Sequence, residues 1–344
     1  MKQSESKTII GITVGDPAGI GPEIVLKSLF SRNFPSGVRP VLFGDRPVLE
    51  QMMGILGRKK EIIEIGSMPP KRISEKSVLL IPTNVLTRRV RFGRVSAECG
   101  RSAHESFSNA IALALHGWID GIATAPIQKE ALRLGGCREL DHTEILKVRT
   151  GASEETTLFM VGRLRVFFLT RHIPLSEVSA SLTRENVSRA IPKCIRFLKQ
   201  LGIRNPKLAV AALNPHAGEN GMFGREEAEI LLPAVEQSRK QGCRAFGPIP
   251  ADSVFHIANE GRYDGVLSLY HDQGHIAAKT LDFRRTVSLT MGLPFLRTSV
   301  DHGTAFDIAG RGIADETSML EAIRAAGMYA KRVRRAAGFG NPDT

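Results

Sequence analysis

Short apolar runs recur along the chain, each closed by Gly, Pro or a polar cluster, and most are followed by apolar residues at helical spacing. Thr8–Val14 is the first. It ends at Gly15-Asp16-Pro17-Ala18-Gly19-Ile20-Gly21 and gives way to a helical pattern through Ile24, Leu26, Leu29 and Phe30. Strands are predicted again at Val41–Gly44, Ser77–Ile81, Gly121–Ala125, Lys207–Leu213, Gly265–Tyr270 and Thr286–Thr290. Thr157–Val161 and Leu164–Thr170 flank Gly162-Arg163 and read as a hairpin. Helices are predicted from about Pro47, over Ser102–Trp118, from about Arg184, near Arg225 and after Ala322, with fraying from Gly338 to Thr344. Phe92–Glu98 and Phe246–Phe255 read as loops, the second carrying one buried-looking acid, Asp252. Strand–helix alternation over 344 residues argues for an α/β protein with a mostly parallel sheet and helices on both faces, as one large unit or two domains.

Open α/β sheets place ligands just beyond the carboxyl ends of their strands. His271, Asp272, Gln273, Gly274 and His275 follow Gly265–Tyr270 at once, and Lys279 is four residues further on. Arg297, Thr298, Ser299, Asp301, His302 and Thr304 crowd a second segment read as a polar strand end. His172 and His216 also follow short apolar runs, each with Pro or Gly close behind. Parallel strands would bring His172, His216 and His271 to one edge, where neutral imidazoles suit a divalent metal. Acid–base chemistry by histidine without metal is the alternative, and separate strand-end hydrogen bonding is the bland one. Lys279 and Arg297 suit a carboxylate or phosphate. Each could instead be a surface ion pair. Asp252 is read as an acid–base group, a ligand-holding residue or a helix cap. His142 and Thr143 open a helix, where they could cap it or turn its N–H groups towards an anion.

Composition narrows the partners. The net charge is +12, but the basic residues are spread and no nucleic-acid-binding motif is present, so a small anion fits better than a polynucleotide. The four cysteines form no CxxC pair, which argues against a disulfide framework or a cysteine zinc site. No run has the length of a membrane span and the first ten residues carry no signal-peptide core, so a cytoplasmic protein with no membrane partner is expected. Glycines at 15, 19 and 21 do not form G-x-G-x-x-G, which argues against a Rossmann phosphate loop.

Several blocks together resemble the 4-hydroxythreonine-4-phosphate dehydrogenase family, over about residues 8–328: GDPAGIGPEI (15–24), TAPI-KEAL (124–132), HTE (142–144), RHIPL (171–175), LNPHAGENGMFGREE (213–227), GPIPAD (247–252), HDQGH (271–275) and GLPFLRTSVDHGTAFDIAG (292–310). The resemblance implies a two-lobed α/β/α fold like isocitrate and isopropylmalate dehydrogenases, with no Rossmann domain. It implies one lobe of residues 1–130 plus 297–344, another of 131–296, a cleft active site, and a homodimer with that site near the dimer interface. It implies NAD or NADP and one divalent ion (Zn, Mg or Co) held by His172, His216 and His271. His142, Thr143, Lys279, Ser288 and Arg297 match substrate contacts, and Asp252 and Lys279 are the candidate catalytic groups. The implied reaction oxidises and decarboxylates a four-carbon phosphorylated hydroxy acid. The first expectation is 4-phosphohydroxy-L-threonine, giving 3-amino-2-oxopropyl phosphate for pyridoxal phosphate synthesis. The alternative is 4-phospho-D-threonate or 4-phospho-D-erythronate in sugar-acid catabolism. A branch acting on a cyclic dihydrodiol dicarboxylate fits the intact His142-Thr143 pair less well, and a non-catalytic nucleic-acid binder is the remote alternative. Ser288, Asp141 and Gln128 depart from the residues common in the family (Asn, Gly and Asn).

Overall fold

A computed structural model describes residues 7–66 and 77–339; the tail predicted to fray lies outside them beyond residue 339. Up to Thr150 the elements are β1 (Thr8–Thr13), α1 (Gly21–Phe30), β2 (Val38–Gly44), α2 (Arg46–Ile55), β3 (Glu61–Glu64), β4 (Ser77–Pro82), α3 (Ala97–Leu115), β5 (Gly121–Thr124), α4 (Lys129–Leu134) and α5 (His142–Thr150). Next come β6 (Thr156–Val161), β7 (Leu164–Phe168), α6 (Val178–Ser181), α7 (Arg184–Gln200), β8 (Leu208–Ala211), α8 (Leu232–Lys240), β9 (Ala245–Ile249), α9 (Ala251–Asn259), β10 (Gly265–Ser268), α10 (His271–Leu281) and β11 (Val287–Met291). The chain ends with β12 (Leu296–Val300) and α11 (Thr317–Ala336).

Two compact units result: Met1–Glu155 with Gly292–Thr344, and Thr156–Met291. The family resemblance implies lines at 130 and 296. The first of these lines differs because α4 and α5 pack on α3 and stay with the first unit.

In the first unit the strand order is β3-β4-β2-β1-β5-β12, all parallel. Ile10 is paired with Gly121 and Gly11 with Ile122, so the two pairs point to opposite faces. Ile122 joins Phe43 and Phe107 of α3 in one apolar cluster. On the other face α11 comes close: a Cβ at Gly121 would lie 2.8 Å from that of Ala330. Such two-sided burial explains why these strands read as apolar runs.

In the second unit the order is β11-β6-β7-β10-β8-β9. β6 runs against β7 and β11, whereas β7, β10, β8 and β9 are parallel. The hairpin is thus β6–β7. α9 and α10 cover one face, with Phe255, Ala258 and Ala278 packed on Val166, Ala209 and Val266. α7 covers the other, where Leu198 reaches Gly265. Thr183 opens α7 with a capping box completed by Asn186.

Two local expectations need correction. Phe246–Phe255 is not a loop but β9 and the start of α9, and Asp252 is exposed in the first turn of that helix. Arg297, Thr298 and Ser299 lie within β12, not beyond a strand. His271–His275 forms the opening turns of α10.

Candidate active site

In the second unit, three parallel strand ends carry the histidines. His172 follows β7, His216 follows β8 and His271 follows β10, and β10 lies between the other two. Asp252 follows β9 at the same edge. Rings step outward from the core. Phe159 and Phe168 pack on His275, with centroids 4.1 and 4.5 Å away. His275 stacks on His271 at 3.7 Å, and His271 lies 5.9 Å from His172. Nδ1 of His275 also meets the His271 carbonyl at 2.8 Å. Gln273 ties the strand ends together: its Oε1 accepts from Leu269 N and its Nε2 donates to the Ala212 carbonyl.

His216 is held differently. Residues 216–220 all have left-handed backbone angles, with φ between 42° and 81°. Four of them are not glycine, and each such residue costs roughly 1–2 kcal/mol. The side chain of His216 is exposed, and its Nδ1 is 3.2 Å from Glu219 Oε2.

In the first unit Arg297 is buried, and His142 and Thr143 are half-buried. Arg297, 7% exposed, donates from Nε and Nη2 to Thr124 Oγ1 at 3.0 and 2.7 Å. Thr124 in turn meets Ser299 Oγ at 3.0 Å. His142 packs edge-on against Phe107 at 4.8 Å. Its Nε2 is out of solvent with no hydrogen-bond partner among the described residues. Burial holds the His142 pKa well below its usual value, and the Arg297 charge adds to this. The ring is therefore neutral at pH 7. Burial also pulls Arg297 down to about 9, with Asp141 opposing, and it stays a cation at pH 7.

The cap of α5 is neither His142 nor Thr143. Asp141 Oδ1 accepts from Thr143 N and Glu144 N, at 2.9 and 3.0 Å. Burial raises the Asp141 pKa, but hydrogen bonds from Glu144 N and Lys129 outweigh it and the net shift is downward. The carboxylate thus fills the anion-binding end of its own helix.

The family model described as pyridoxal phosphate biosynthetic protein PdxA matches residues 36–326. A Symbiobacterium thermophilum protein with the provisional name D-threonate 4-phosphate dehydrogenase is 47% identical over 332 residues, covering 96% of this chain and 99% of the relative. A Clostridium botulinum protein of the same provisional name is 46% identical over 331 residues, with the same two coverages. The crystal structure of 4-hydroxythreonine-4-phosphate dehydrogenase from Klebsiella pneumoniae superposes with a TM-score of 0.86 at 40% identity, over 96% of this chain and all of that one. The chain belongs to the PdxA family.

Membership makes the chain a dehydrogenase, and its donor groups can be set against the metal that such chemistry uses. Nδ1 of His271 is 2.6 Å from Asp272 Oδ1, and Nδ1 of His216 faces Glu219. Carboxylates that engage Nδ1 leave Nε2 as the ligating atom, the usual arrangement of metal-binding histidines. The donor chemistry therefore fits. The geometry gathers His172 and His271; among the described residues no three His, Cys, Asp or Glu side chains stand close enough together to hold an ion.

The remaining candidates fall on the same framework. Ser288 of β11 is paired with Phe159, which is paired with Val166, so it shares the sheet face covered by α10. Lys279 is in the last turn of α10, its Nζ 5.2 Å from the Phe283 ring centre. Gln128 caps α4 through its side-chain oxygen, 3.5 Å from Glu130 N. Two residues without an assigned role in the sequence reading emerge. Thr124 anchors Arg297, and Glu227 holds the backbone before His216. Both were inside recognisable motifs, TAPI and GREE, but only folding brings them to their partners.

Proposed function

We propose that this PdxA-family dehydrogenase oxidises and decarboxylates a four-carbon phosphorylated hydroxy acid, with 4-phospho-D-threonate as the favoured substrate. The observation that carries the anionic part is the Nε2 of His142, without a hydrogen-bond partner among the described residues, beside the buried Arg297 guanidinium. A buried cation next to an unsatisfied imidazole calls for an anion that takes hydrogen bonds from both. His142, Thr143, Arg297 and Lys279 hold the phosphate and carboxylate of the substrate in register. His172, His216 and His271 would hold a divalent ion, which would supply Lewis acidity at the substrate hydroxyl, and a bound NAD or NADP would supply the hydride-accepting chemistry. Lys279 or Asp252 takes the hydroxyl proton. Loss of CO2 from the resulting β-keto acid follows.

The choice of substrate rests on the D-threonate 4-phosphate name shared by relatives at 46–47% identity, and on Ser288. A serine hydroxyl is shorter than the asparagine amide usual there and removes one donor. A second reading, 4-phosphohydroxy-L-threonine, is favoured by the likeness to the Klebsiella pneumoniae structure. We further propose a homodimer, as the resemblance implies.

Inorganic phosphate tests the anion site. It should compete with the substrate, and Arg297→Met should abolish that competition. Equal phosphate inhibition of wild type and variant would remove Arg297 from the site.

A further inference from the structure

We propose that Glu227 is a positioning residue for His216. The inference rests on the reading of His216 as a metal ligand. The left-handed run that presents His216 is made by residues whose side chains disfavour it, so something outside the run must hold it. Glu227, 5% exposed, is that support. Its Oε1 accepts from the backbone N–H groups of Leu213 and Asn214, both at 2.8 Å, immediately before the run. Its Oε2 accepts from Asn214 Nδ2 at 2.9 Å. A Cβ on Gly218, in the middle of the run, would lie 2.8 Å from the same Oε2, so the turn is folded directly onto the carboxylate.

The chemistry requires a carboxylate. Three N–H donors converge on two oxygens, and both oxygens must accept. A glutamine has the same shape but turns an NH2 group towards one set of those donors. Glu227 also begins a single turn of π-helix, Glu227–Leu231, ahead of α8. Such turns recur at functional sites because they re-aim one side chain within a helix. Asn214 Nδ2 donates to Glu226 Oε2 as well, at 2.8 Å, which links the support to a second carboxylate.

The test uses the full-length protein and cobalt(II), whose visible ligand-field absorption reports both affinity and geometry. Wild type should give a saturable spectrum, and His216→Ala should lose or alter it. Glu227→Gln should bind cobalt about 10–100-fold more weakly, the range for residues that orient metal ligands, with a changed spectrum. Its far-ultraviolet circular dichroism should stay native. Asn214→Ala, which keeps the Glu227 carboxylate, should fall between the two and serves if Glu227→Gln does not fold. Wild-type affinity and spectrum in both variants would overturn the proposal. If wild type itself gives no ligand-field spectrum, the metal reading fails and the positioning claim is judged separately. Labelled-histidine resonances of His216 must then shift in Glu227→Gln while those of His172 do not; unmoved His216 resonances would overturn it.

Discussion

The rings of His271 and His275 stack with centroids 3.7 Å apart and planes 12° from parallel. One ring is at the outer edge of the second unit and the other is wedged on Phe159 and Phe168, so the half-buried His271 inherits its orientation from the core. The four-residue spacing on α10 makes this possible, because residues i and i+4 share a helix face. Close approach of α10 to β7 needs Gly274, where a Cβ would meet Phe168 at 2.6 Å.

His275→Ala should therefore cost more than the loss of one polar contact. Ring pairs contribute about 0.5–1.5 kcal/mol each beyond their buried area. The variant should lose roughly 1–3 kcal/mol in denaturant unfolding, and its metal affinity should fall with it. His275→Phe keeps the stack and should stay within about 1 kcal/mol of wild type.

Arg297→Met should raise KM for a phosphorylated substrate with little change in kcat. The guanidinium contacts bound substrate and transition state alike, and loss of such uniform binding appears in KM. A charged hydrogen bond contributes about 1.5–3 kcal/mol, which is about 10–100-fold in KM. Steady-state kinetics at fixed cofactor and metal measures it. A fall in kcat at unchanged KM would place Arg297 in the chemical step instead.

Asp141→Ala should destabilise the protein by about 1 kcal/mol, the usual cost of a lost helix cap. Asp141→Asn keeps an accepting oxygen and should cost much less. Both remove a negative charge that acts on Arg297. Phosphate should therefore inhibit the asparagine variant more strongly than wild type, by a small factor because Asp141 is partly solvated.

Asp16 makes stability depend on pH. It is fully buried in the turn after β1, where Oδ1 accepts from Ala18 N and Oδ2 has no partner among the described residues. Burial raises its pKa to about 6, against the opposing hydrogen bond from Ala18. The folded state therefore holds this proton more tightly than the unfolded chain. Its stabilising effect is complete below the ordinary value near 3.8 and is lost as pH rises through about 6. The difference amounts to at most about 3 kcal/mol. Urea unfolding from pH 4 to 8 should show this decline in wild type and a flatter profile in Asp16→Asn.

Much of the framework was legible because buried parallel strands leave a plain apolar trace. β1, β5, β7, β8 and β10 all did so, and their ends fixed the place of His172, His216 and His271 along one edge. β12 was missed because Arg297, Thr298 and Ser299 are polar yet buried, satisfied by Thr124, Ile122 and Ala322. Only tertiary partners reveal such a strand. β3, Glu61–Glu64, was missed because its ends are charged and only Ile62 is buried. Glu227 looked like an ordinary acid at a helix start. Its role depends on chain folding back over the thirteen and fourteen residues to Asn214 and Leu213, which no local pattern records.

Direct turnover tests the oxidation of a phosphorylated hydroxy acid. The purified protein, supplied with a divalent metal and NAD or NADP, would be given 4-phospho-D-threonate, 4-phospho-D-erythronate or 4-phosphohydroxy-L-threonine while reduced cofactor and CO2 are followed. We predict equimolar reduced cofactor and CO2 with 4-phospho-D-threonate, abolished by a chelator and in His216→Ala. Turnover confined to 4-phosphohydroxy-L-threonine would shift the substrate to the second reading, and no turnover of any of the three would contradict the account.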